Sequence, residues 1–321
     1  MPTRRQTIAV LAMLLCAGPA AAQDKRPEKL NVIATFSILG DVVKSVGGER
    51  VEVTMLVGPN ADAHVYSPSP ADAKKLADAK VVVVNGLGYE GWIERLVRAS
   101  GRKAPVVTAA KGVKPRRAAG DHGHSHGSDP HAWQSIANVK IYATNIRDGL
   151  IAADPAGKLA YEVNAAAYLA KLDALDKEVR DTVAKIPADR RRIITTHDAF
   201  GYFKDAYGLD FVAPQGVSTE SQPSAKDVAR IITQIRRQKI PAVFMENISD
   251  PRLLKQIADE TGARIGGTLY SDALTDEKGP APTYIDLIRH NIRTLSAALL
   301  SQGPPCPTKR PNRLKKSPSP C

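Results

Sequence analysis

Short apolar runs alternate with stretches of helical spacing twice along this chain, and between the two series lies one much longer helical stretch. That stretch, Asp154 to Pro187, places Leu159, Val163, Ala166, Leu169, Leu172, Leu175, Val179, Val183 and Ile186 at helical intervals. Lys158, Glu162, Lys171, Asp173, Arg180 and Asp181 fall mostly elsewhere. Asp154 is placed to cap the first turn, Pro155 suits the first helical position because its missing N–H has no partner there, and Pro187 ends the pattern. At 1.5 Å per residue such a helix is about 45 to 50 Å long, more than a compact domain needs for its own packing. It predicts a rigid spine over residues 154–187, joining two lobes.

The stretches on either side share one rhythm. In residues 23–153, strands are expected at Asn31–Phe36, Val51–Val57, Val81–Val84 and Pro105–Thr108, with helices at Ile38–Val46, Ala71–Ala79, Trp92–Ala99 and Ile136–Ala152. In residues 188–301, strands at Arg192–Thr195, Leu209–Ala213, Ala242–Met245 and near Ile265 alternate with helices at Ala199–Ala206, Ala225–Gln238, Pro251–Thr261 and Thr283–Leu300. Strands interleaved with helices predict an α/β fold of two similar lobes with mainly parallel sheets. Residues 111–129, rich in Gly, Pro, Arg and Ala and carrying His122, His124 and His126, read as a loop, and the Pro/Lys/Arg-rich residues 302–321 as a disordered tail.

The first 22 residues have another use. Arg4 and Arg5, an apolar run from Ile8 to Ala17 and the small residues Ala20, Ala21 and Ala22 form a secretory signal, too short to span a membrane. Cys16 follows Leu15 where a lipid-attachment site wants a small residue, so a released periplasmic protein is expected. The net charge of +12 includes Arg4 and Arg5 in the signal and Lys309, Arg310, Arg313, Lys315 and Lys316 in the tail, which leaves +5 on the body. That excess is not clustered, so nucleic acid is not an expected partner. Of the three cysteines, Cys16 leaves with the signal and Cys306 and Cys321 can at most staple the tail.

His64, His131 and His197 each occupy a loop on or after a strand, and Asp272 follows the last short strand. Ligands of α/β lobes bind outside the carboxyl ends of the strands. Two residues from each lobe, three neutral imidazoles and one carboxylate, would surround a borderline cation such as Zn²⁺ in a tetrahedron. His290 falls inside the closing helix and reads as an ordinary helical residue. No short metal motif reinforces the set, because successive candidates stand far apart in the chain.

Five stretches carry a resemblance: Asn60-Ala-Asp-Ala-His64-Val-Tyr-Ser-Pro-Ser, Asp129-Pro-His131-Ala-Trp, Thr196-His197-Asp-Ala-Phe-Gly-Tyr, Ser218-Thr-Glu-Ser-Gln-Pro-Ser and Tyr270-Ser-Asp272. In order and as a set they resemble the zinc- and manganese-binding solute receptors of bacterial ABC importers. The resemblance implies two lobes on a long rigid helix, ligands at His64, His131, His197 and Asp272, and no catalysis. It implies a membrane permease as partner, a monomeric receptor, and room for a periplasmic metallochaperone. Members that take manganese have Glu at the third position, so His197 favours Zn²⁺ as the transported ligand, with Mn²⁺ the alternative. His122, His124 and His126 are similar to a shortened His-rich loop and suggest a weak second capture site. Asp198 and Glu246 are candidates to orient an imidazole. The rigid spine implies limited closure, with release through the loop of Asp272. An exported metallohydrolase with Asp272 as base, and an adhesin using the tail, are the alternatives from other classes.

Overall fold

The computed structural model describes residues 28–101, 105–118 and 127–301. The signal segment, Cys16, His122, His124, His126 and the tail with Cys306 and Cys321 lie outside the described residues.

The first half runs β1 (Leu30–Phe36), α1 (Ser37–Gly47), β2 (Val51–Val57), α2 (Pro70–Asp78), β3 (Val81–Val84), α3 (Ile93–Ala99), β4 (Val106–Thr108), a short 3₁₀ turn at Ala132–Gln134 and α4 (Ile136–Ala153). The long helix α5 (Lys158–Ala184) follows. The second half runs β5 (Arg192–Ile194), α6 (Gly201–Tyr207), β6 (Asp210–Val212), α7 (Ala225–Gln238), β7 (Ala242–Glu246), α8 (Arg252–Thr261), β8 (Arg264–Leu269) and α9 (Tyr284–Leu300).

Each half holds a four-stranded parallel sheet, ordered β2-β1-β3-β4 and β6-β5-β7-β8. These are one topology used twice, and each sheet reverses its winding beside its first strand, where such folds open a crevice at the strands' carboxyl ends. Helices cover both faces of a parallel sheet, which is why all four valines of β3 are buried and the strand shows no alternation. Side-chain caps set three helix starts: Ser69 and Asp72 form a capping box on α2, and Ser224 and Thr283 accept the N–H groups of Asp227 and Asp286 on α7 and α9.

The spine departs from its expected shape at one end. It has 27 residues, about 40 Å of helix, and a 3₁₀ turn at Pro155–Gly157 precedes it. Asp154 caps nothing; its carboxylate accepts hydrogen bonds from Arg50 (Nη2 at 2.8 Å) and the Tyr161 hydroxyl (2.8 Å). The buried stripe is Tyr161, Ala165, Tyr168, Leu172, Leu175, Val179 and Val183, while Leu159 is 74% and Val163 58% exposed. Tyrosine bodies therefore fill the first two turns of the core face, where aliphatic residues were expected, and the two aliphatic residues face solvent.

One hydrophobic core passes beneath both sheets. It joins Ile33, Phe36 and Val83 of the first half, Tyr161, Leu172 and Val179 of the spine, and Phe203, Phe244, Leu287 and Leu295 of the second. A smaller cluster, including Ile194, Ile231, Val243 and Leu254, lies under α7 and α8. The two lobes thus share packing along the spine and resist moving as separate bodies. In urea denaturation, Leu172→Ala, at a fully buried position, should lose about 3 kcal/mol. Leu159→Ala should change stability by less than about 0.5 kcal/mol.

Candidate metal centre

Four loops at the carboxyl ends of the strands bring their side chains to one point. His64 follows β2, His131 stands at the entry of the 3₁₀ turn before α4, His197 follows β5, and Asp272 follows β8. One ligand-competent atom from each lies within 4.8 Å of the others. The Nε2 atoms of His64 and His131 are 3.2 Å apart, and Asp272 Oδ2 is 3.3, 3.6 and 3.2 Å from the Nε2 atoms of His64, His131 and His197. A tetrahedral ion with bonds of about 2.0–2.1 Å needs donors about 3.3 Å apart. All four residues expected from the sequence are brought together and buried, and the three spacings from Asp272 Oδ2, with that between His64 and His131, lie near this edge.

Local chain chemistry explains how each ring is aimed. Both Asp62-Ala-His64 and Asp129-Pro-His131 make an Asx turn, in which the aspartate accepts the N–H of the histidine two residues on (2.9 and 3.0 Å). Asp129 goes further: its Oδ1 lies 2.8 Å from His131 Nδ1, leaving Nε2 to face the other donors. Glu246, at the end of β7, brings Oε2 to 2.6 Å from His197 Nδ1, an ion-pair contact without hydrogen-bond alignment, while its Oε1 accepts the N–H groups of Thr196 and His197. Asp129 thereby fixes the tautomer of His131, and the Glu246 charge favours a proton on His197 Nδ1. Arg116 balances the buried Asp129 at 3.2 Å and reaches Asp205 of α6, whose close approach depends on Gly201; a Cβ there would meet Arg116 and Asp129.

Of the two candidates, Glu246 stands beside a ring, that of His197, and Asp198 does not. Asp198 instead lines a neighbouring cavity of about 370 Å³ with Arg116 and Lys204. Asp129, Asp62 and Arg116 were not singled out, although the repeated Asp-x-His spacing was a visible signal for the first two. His290 hydrogen-bonds the Thr268 carbonyl from α9 and stays apart from the cluster.

Asp272 sits in the most firmly held of these loops. The Ser271 carbonyl before it accepts from both Trp133 Nε1 (2.9 Å) and Gln134 Nε2 (2.7 Å), and the Tyr284 hydroxyl donates to the Trp133 carbonyl (2.8 Å). After it, the Leu274 N–H donates to Ser37 Oγ and its carbonyl accepts from the Asn60 N–H. Asn291 holds Tyr270 through both its backbone groups. The expectation that this loop yields first on release is at odds with its pinning by both lobes.

Residues 32–298 match the family described as the periplasmic component A of the zinc-uptake complex. The chain belongs to that family. These zinc-uptake components are solute-binding proteins of metal ABC importers. The chain is 35% identical over 294 residues to the manganese-binding lipoprotein MntA of Halalkalibacterium halodurans, covering 90% of this chain and 96% of that one. It is 36% identical over 269 residues to the iron-binding protein YfeA of Yersinia pestis, covering 84% and 86%. Among solved structures, the periplasmic zinc binding protein TroA of Treponema pallidum superposes with a TM-score of 0.80 at 30% identity, covering 84% of this chain and 99% of that one. The zinc-uptake family thus supplies the same two-lobed, spine-linked architecture.

The metal-free cluster is a set of opposed charges. Burial pulls the His131 imidazole down, but the Asp272 charge and the Asp129 hydrogen bond outweigh it and hold the group at about 9. Burial likewise opposes protonation of His197, which Glu246 and Asp272 raise well above its ordinary value. Asp272 would be raised by burial and is instead held well below the carboxylate range by His131 and His197. A histidine raised in the folded state contributes stability that is complete below its unfolded value and lost as pH rises through its folded one. The metal-free protein should therefore melt at lower temperature as pH rises from about 6.5 to about 9. A melting temperature that climbs across this window would contradict the assignment.

Proposed function

We propose that this protein is a periplasmic receptor that captures one Zn²⁺ ion with His64, His131, His197 and Asp272 and delivers it to the permease of an ABC importer. The donor set carries this reading: three imidazole nitrogens and a carboxylate oxygen lie within 4.8 Å of one another, and the carboxylate oxygen stands 3.2 to 3.6 Å from each nitrogen, a set suited to a tetrahedral zinc ion. The ion is cargo, and four protein donors complete its tetrahedron, so no position is kept for an attacking water. The receptor acts as a monomer, released after Ala22, and can accept metal from a periplasmic metallochaperone. An intact mass retaining an acylated Cys16 would overturn the release.

Manganese is the second reading, because the Halalkalibacterium relative is named for that metal. Nitrogen-rich donor sets favour zinc, whereas Mn²⁺ is suited by oxygen. Competition titration of the metal-free protein decides: Zn²⁺ should displace Mn²⁺ at equal concentration, and Mn²⁺ prevailing at physiological ratios would sink the zinc assignment.

The same titration ranks the residues. Glu246→Gln should weaken Zn²⁺ binding by roughly 10–100-fold through its effect on His197, and His131→Ala or His197→Ala should weaken it further. Equal affinities for wild type and these variants would remove the site from the account.

A further inference from the structure

The four donors are unequally held, and the inequality points to the one that leaves first. His131, His197 and Asp272 are fully buried, whereas His64 keeps 8% exposure. Buried carboxylates orient the rings of His131 and His197, but Asp62 takes only the backbone N–H of His64. The His64 ring is otherwise bounded by the edge of Tyr89, at 4.7 Å between centroids. Its loop begins at Asn60, in a left-handed conformation (φ 56°), and continues into Val65, which is 55% exposed. The loop is anchored at its start, where the Asn60 N–H donates to the Leu274 carbonyl, and at Ala63, whose carbonyl accepts from Trp92 Nε1 (2.9 Å), but the His64 ring itself has no such support.

One further contact crosses to the other lobe two residues before His64. The second oxygen of Asp62 accepts a hydrogen bond from Thr219 Oγ1 (2.5 Å), which belongs to the loop between β6 and α7 on the other lobe. Among the described residues, this is the hydrogen bond by which residues 216–223 reach the first lobe. Thr219, Asp62 and the His64 backbone thus form a short chain across the mouth of the site. We propose that Thr219 and Asp62 are a latch that sets the residence time of the bound ion: the latch holds the His64 loop closed, and its opening lets His64 depart while the other three donors stay in place. Thr219 is a positioning residue, acting through Asp62.

The proposal rests on the ligand set given above, and the experiment separates the two. Release of bound Zn²⁺ into excess chromophoric chelator is followed by stopped flow for wild type, Thr219→Val, Thr219→Ser and Asp62→Ala. Thr219→Val keeps the side-chain shape and loses the hydroxyl; it should release the ion about tenfold faster, the scale of one hydrogen bond to a charged acceptor. Association rate and metal-free melting temperature should be unchanged. Thr219→Ser should restore slow release, and Asp62→Ala should be at least as fast as Thr219→Val. Release from Thr219→Val at the wild-type rate, or a serine variant as fast as the valine one, overturns the latch. Failure of the wild type to bind stoichiometric Zn²⁺ overturns the underlying function instead. As a second measurement, backbone amides of residues 60–66 should exchange hydrogen faster than those of 270–275 in the metal-free protein. The reverse order would also overturn the proposal.

Discussion

Two N–H donors on one carbonyl hold the site together. Trp133 and Gln134, just beyond His131 in the chain, both bond the carbonyl of Ser271, just before Asp272. A carbonyl with two lone pairs, buried and fully used, ties the ligand loop of one lobe to the ligand loop of the other. It helps donors from separately built sheets keep the spacings of 3.2 to 3.6 Å that Asp272 Oδ2 makes with the three rings. The shared core beneath, from Phe36 through the spine to Phe244, makes that tie rigid.

Rigidity on this scale turns the problem of binding into one of electrostatics. Bringing three imidazoles and a carboxylate out of water is unfavourable unless each is paired. Asp129 and Glu246 stand behind two of the rings, and Arg116 in turn offsets Asp129. Asp272 faces all three Nε2 atoms. A divalent ion entering this arrangement replaces protons that the carboxylates otherwise hold on the histidines, which links affinity to pH. The same layering explains the uneven grip on the four donors, since of the three clustered histidines only His64 has no carboxylate behind its ring.

Much of this was legible in the sequence, and the exceptions have causes. Alternating strand and helix patterns located both sheets, because parallel strands buried on both faces, such as Val81–Val84, read as unbroken apolar runs. The four donors were legible as loop residues after strands, and their set was sharpened by the motifs around them. The start of the spine was misread: Tyr161 and Tyr168 turn the buried stripe away from Leu159 and Val163, and aromatic side chains with a polar tip do not register in an aliphatic pattern. Asp154 looked like a cap but is claimed by Arg50, which lies 104 positions away. Glu246 was visible only as a nearby carboxylate, since no spacing rule links it to His197. Asp129 and Asp62 were hidden in plain view, two residues before their histidines.

The central claim is that one ion is enclosed by four protein donors and nothing else. X-ray absorption at the zinc edge of the loaded protein tests it most directly. The account predicts four nitrogen or oxygen neighbours at about 2.0 Å, with the multiple scattering of imidazole rings and no water in the shell. A five- or six-coordinate shell, or a spectrum unchanged when His64 and His197 are both replaced by alanine, would contradict it.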